Sequence, residues 1–176
     1  MSELTARSDL AAWSHDAREV EWLLAHAPQE LETVMPHVSG WSALQHAAHL
    51  TLANELVLKN LRSLAKGSGM LVVNEAAQNP EALALLAAGR LPRGRAQAPR
   101  MVVPPTDVDV PRVQEWASQL SADVDAFAGT LAGVPLPRCF VPHQMLGPLD
   151  FAQWLSFGIV HTRHHLVIAR EVLDAQ

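Results

Sequence analysis

Glycines and prolines cut the 176-residue chain into a few long segments, and within them apolar side chains return every three or four positions, not every two. That is the period of one helix face, so the chain is expected to be all-α. The first segment runs from about Ser8 to Ala27, with Leu10, Trp13, Ala17, Val20 and Leu24 on one stripe and Pro28 at its end. His15 and His26 fall away from that stripe. After Pro36 and Gly40, Ser42 is a suitable N-cap for a second segment to about Ala65, whose apolar side carries Leu50, Ala53, Leu56, Val57, Leu61 and Leu64. Gly67 and Gly69 stop it. From about Pro111 a third segment aligns Val113, Trp116, Ala117, Leu120, Val124, Phe127 and Leu131, and Gly133 and Pro135 end it. Asp150 can cap a last helix running nearly to the final residue.

Residues 70–111 are less regular. A short helix near Glu81 to Ala88 is expected there, followed by an extended, Pro- and Arg-bearing stretch. Four long amphipathic segments with one long connection make a four-helix bundle the economical architecture, with residues 1–176 as a single domain. An up-down-down-up order would let the long middle loop cross the bundle. No run alternates long enough to build a sheet.

Composition narrows the function. Hydrophobic residues make up 49% and charged residues 18%, enough apolar material for a core. A formal charge of -5 gives no electrostatic footprint for nucleic acid or an anionic membrane surface. The single cysteine, Cys139, can form neither an internal disulfide nor a thiolate metal cage, which fits a reducing compartment. The first residues contain no apolar signal region, and eighteen uninterrupted apolar residues occur nowhere, so the expectation is a soluble, cytoplasmic protein.

The histidines are the informative feature. At 100° per residue, the last helix places Trp154, Phe157, Gly158, Ile168, Ala169 and Val172 on its core face, and His161 and His165 project from the middle of that face, one turn apart. On the second helix His49 falls in the apolar sector with Ala53 and Leu56, and His46 lies near its edge. His164 sits about 60° from His161, at the surface or behind the pair. A histidine facing a core is ordinarily a hydrogen-bonded core residue, since an unpartnered polar group costs about 1–3 kcal/mol to bury. Two imidazoles at i and i+4 with a third from a facing helix have a further explanation: they can hold one divalent ion and leave a position open.

Two stretches carry a resemblance. WSALQHAAHLTLANE has Trp41 at a helix start and His49 eight positions on, and MLGPLDFAQWLSFGIVHTRHHLVIARE has a Gly-Pro-Leu entry and an H-x-x-H-H run before an apolar residue. Together they resemble the DinB and YfiT-like superfamily, and the second is similar to a DinB-related group of unknown function. They cover about a quarter of the chain. The resemblance implies a four-helix bundle with a divalent ion held by His49, His161 and His165, and Trp41 packed at the helix start. The hydrolase and thiol-transferase branches usually show further polar residues at the site, and no acid or base is matched here.

Three neutral imidazoles leave a bound ion its positive charge. Water on it would have a pKa lowered to about 7, as in a metal-dependent hydrolase of a small molecule, or a substrate thiol would bind as thiolate, as in a low-molecular-weight thiol S-transferase. Zn²⁺ or Ni²⁺ is expected, with Fe²⁺ possible, since availability chooses among imidazole-binding ions. Glu55, His46, His164 and Asp150 are candidates around the ion, and each is equally an ordinary solvated or capping side chain. A non-catalytic bundle binding a small ligand is the alternative. There the loop bearing Arg90, Arg93, Arg95 and Arg100 either closes over the pocket or is simply solvated. A homodimer could use Trp22, Trp116 or the middle loop, whereas Trp13, Trp116 and Trp154 all fit a core.

Overall fold

The computed structural model describes residues 3–94, 97–131 and 134–176. Their elements are α1 (Glu3–Leu23), α2 (Pro28–Glu32), α3 (Ala43–Lys66), α4 (Pro80–Ala88), a 3₁₀ turn (Arg100–Val102), α5 (Val110–Thr130), β1 (Val141–His143), β2 (Gly147–Leu149) and α6 (Phe151–Asp174). The fold is therefore mostly helical, and the caps explain where the helices begin. Ser42 Oγ accepts the amide of Gln45, whose side chain returns to the Ser42 amide, and Asp150 and Gln153 repeat the arrangement at α6. Asp109 opens α5 and Asn79 opens α4. At the end of α3, Gly67 has φ 64°, and a Cβ there would also stand 2.9 Å from the Pro137 ring.

The long helices pack as α3 against α6, α1 against α5 and α6, and α3 against α5. Trp13, Asp16 and Glu19 meet Gly158, Arg163 and Arg170 in the same order, so α1 and α6 run in one sense. His46 and His49 meet His165 and His161 in reverse order, so α3 opposes α6. Ser14 and Leu24 likewise reach Asp125 and Gln114 in reverse, so α5 opposes α1.

Buried apolar side chains form two clusters, one including Trp13, Val57, Leu61, Leu120, Val124 and Leu155, the other Val20, Leu24, Leu44, Leu50, Ala117 and Leu166. Along α3 and α6 the change from one to the other falls at a polar belt. Trp13 Nε1 donates to Asn54 Oδ1 at 3.1 Å and Asn54 Nδ2 donates to Thr162 Oγ1 at 2.9 Å, all three side chains fully enclosed. Such a belt is tolerable because every group in it has a partner.

Several expectations shift. The first helix ends at Leu23, not Ala27, and Pro28 opens α2, where a missing amide hydrogen costs nothing. Three-residue strands do occur: β1 and β2 form an antiparallel hairpin with Val141 opposite Leu149, and Val73 bridges to Phe140. Trp13 and Trp154 are core residues, but Trp116 is only half-buried, with the Arg112 guanidinium 5.9 Å above its ring. Leu56 is half-buried too, and Asn54 lies inside instead. Gly133 and Arg95 lie outside the described residues. No helix among those described is long and apolar enough to cross a membrane.

Candidate metal centre

Antiparallel packing of α3 on α6 brings His49 between His161 and His165. One ring nitrogen from each lies within 4.8 Å of the others, and among the described residues no other cluster of three metal-ligating side chains does this. The ring centroids are 5.1 Å apart for His49 and His161, 4.5 Å for His49 and His165, and 4.7 Å for His161 and His165.

One tautomer is settled by chemistry alone. His49 Nδ1 lies 2.7 Å from the Val102 carbonyl oxygen. A carbonyl only accepts, so Nδ1 carries the proton and donates, and the neutral ring keeps a lone pair on Nε2. That Nε2 stands 3.3 Å from His161 Nε2. Two nitrogens on one tetrahedral ion at about 2.0–2.1 Å stand about 3.3 Å apart, so this pair matches the spacing around a divalent cation as well as that of an N–H···N bond, with the third nitrogen within 4.8 Å. His161 Nδ1 is buried with no partner, and an ion on Nε2 would leave its N–H unpartnered as well.

Burial, the largest influence, lowers the pKa of His49, His161 and His165, those of His161 and His165 far below the usual imidazole range. Neighbouring imidazoles add to the effect for His161 and His165, and the Val102 carbonyl opposes it for His49. The rings are neutral at pH 7, the form a metal requires.

Trp41 roofs the cluster, its ring centroid 5.0 Å from His49 and 5.4 Å from His46. Phe157 lies 5.1 Å from His161 on the other side. His46, expected at the edge of the apolar sector, is buried and touches His165, Nδ1 to Nδ1, at 3.1 Å. His164 is half-buried, its ring 5.0 Å from that of His165.

Sequence reasoning missed three contributors. The 3₁₀ turn of the middle connection supplies the Val102 carbonyl. Ser39, before α3, places Oγ 2.8 Å from His46 Nε2. His143, at the end of β1, accepts the amides of Met145 and Leu146 on Nδ1, both at 3.1 Å, so its proton sits on Nε2 beside Phe157, 4.4 Å between ring centroids. The H-x-x-H spacing of His46 and His49 was a visible signal, but a backbone carbonyl has none.

The other candidates lie elsewhere. Asp150 caps α6, and Glu55 is exposed on a groove it shares with Lys59, Arg62, Lys66 and Asp123. Arg93 forms a two-pronged pair with Glu171 at 2.6 and 2.9 Å, while Arg90 and Arg100 are exposed. Trp22 is exposed as well. A family model described as the DinB superfamily matches residues 11–169 of the chain. No curated protein and no solved structure is significantly similar to it.

Proposed function

We propose, from the premise that this chain belongs to the DinB superfamily, that it is a metal-dependent hydrolase of a small molecule, with His49, His161 and His165 as ligands of one divalent ion. We read the four long helices as that superfamily's bundle, residues 1–176 as one domain, and residues 70–111 as its crossover. The carrying observation is the meeting of the three imidazoles, two of them with Nε2 atoms 3.3 Å apart.

His49, His161 and His165 would hold the ion as neutral ligands, and its undiminished positive charge would lower the pKa of a water or thiol at an open position towards neutral. The chain's own groups prepare that position. Burial keeps the rings uncharged, the Val102 carbonyl fixes His49 in the tautomer that leaves Nε2 free, and Trp41 and Phe157 wall the cluster with apolar surface. Zn²⁺ and Ni²⁺ suit such an all-imidazole set, and Fe²⁺ is compatible with it.

One observation favours thiol S-transfer as a second reading. Neither Glu55 nor Asp150 joins the cluster, and among the described residues no carboxylate does, so none there takes a proton from water, whereas a thiol with an ordinary pKa near 8.5 needs less help. Metal analysis of the purified protein, with turnover of a panel of small hydrolase substrates and thiol acceptors, decides. One divalent ion per chain and ion-dependent hydrolysis, both lost in His49→Ala, are expected. A protein that takes up no ion, or a variant of unaltered activity, would falsify the mechanism.

A further inference from the structure

We propose that His46, backed by Ser39, is a positioning residue that supplies the acceptor His165 Nδ1–H needs in the tautomer able to bind the ion. The inference rests on the reading of His165 as a ligand. Unlike the carbonyl behind His49, the group behind His165 does not dictate its proton. Two Nδ1 atoms face each other at 3.1 Å, so one of them carries the hydrogen. On the far side, His46 Nε2 lies 2.8 Å from Ser39 Oγ, a hydroxyl that either donates or accepts and that already accepts the Trp41 amide at 3.1 Å.

The chain Ser39, His46, His165 therefore has two neutral arrangements. In one, the Ser39 hydroxyl donates to His46 Nε2, His46 Nδ1–H donates to His165 Nδ1, and the His165 proton sits on Nε2, blocking it. In the other, His165 Nδ1–H donates to His46 Nδ1, His46 Nε2–H donates to Ser39 Oγ, and His165 Nε2 keeps its lone pair. Both contain the same number of protons. Only the second leaves Nε2 free to bind, and it requires an acceptor at the position of His46 Nδ1. His46 is buried between Trp41 and His165, so water does not readily replace it.

The experiment compares wild type with His46→Leu and His46→Asn. Asparagine keeps an acceptor oxygen close to the place of Nδ1, whereas leucine keeps only bulk. Co²⁺ titration followed by visible absorption is expected to show affinity lowered about 10–100-fold in His46→Leu and retained in His46→Asn, with near-ultraviolet circular dichroism confirming that each is folded. Long-range ¹⁵N–¹H correlation on Zn²⁺-loaded wild type, which needs no variant, is expected to find the His165 proton on Nδ1 and the His46 proton on Nε2. A His46 proton on Nδ1 or unchanged affinity in His46→Leu overturns the proposal while leaving the three-histidine centre intact, and a His46 nitrogen bound to the ion overturns it by changing the ligand set. Wild type that takes up no ion sinks both.

Discussion

His143 accepts two backbone amides on one nitrogen and is held neutral by burial, its pKa pushed down to about 4 from the ordinary 6.5. The unfolded chain binds this proton more readily than the folded one, so the stability it supports is complete above about pH 6.5 and drains away as pH falls towards 4. Because a tenfold change in proton affinity corresponds to about 1.4 kcal/mol, the loss attributable to one ring is on the order of a few kcal/mol at most. His143→Asn keeps an acceptor for the two amides and cannot titrate. Urea unfolding of metal-free protein across that range is expected to give the variant a shallower decline than wild type, and equal slopes would refute the assignment.

At the scale of elements, Gly158 sets how closely α1 can approach α6. A Cβ there would stand 3.0 Å from Trp13 Nε1 and 3.1 Å from Val57 Cγ1. Gly158→Ala gains up to about 1 kcal/mol in helix propensity. It must displace an indole already bonded to Asn54, and overpacking of this kind costs about 1–3 kcal/mol. A net loss in urea midpoint is expected, and a gain would show that the interface yields freely. Asp150→Ala removes the α6 cap at a cost of about 1 kcal/mol, and, because Asp150 caps a helix and does not touch the cluster, ion affinity is expected to stay unchanged.

The same scale shows what the sequence could disclose. Helices were readable because burial of one face imposes a 3.6-residue period over twenty residues, and His49, His161 and His165 were readable because they interrupt that face. Strands of three residues are too short to display alternation, so the β1–β2 hairpin was invisible. His46 sits at the edge of the helix wheel, and what buries it is Ser39 and Trp41 folding back from the preceding turn, a contact no periodicity records. Val102 enters through its backbone and Asn54 through partners more than forty residues away.

At the scale of the whole molecule, an ion held between α3 and α6, as we propose, would bind the folded chain and not the unfolded one. Free ion at a hundred times Kd is expected to add about 2.7 kcal/mol to the stability of wild type and nothing to that of His49→Ala. Thermal melting with and without chelator measures both. His49 and His161 lie 112 positions apart in the chain, so the proposed site is complete only when distant segments have met. A nascent polypeptide that has completed α3 but not α6 carries only one of the three proposed ligands, His49, and His161 and His165 follow with α6. If the proposed ion joins only once α3 and α6 have met, its bonds would form after the folding barrier, and such bonds slow escape without hastening entry. Stopped-flow measurements are expected to find the refolding rate indifferent to chelator and the unfolding rate raised by it, the behaviour of a metal that would latch the finished protein and not template its making.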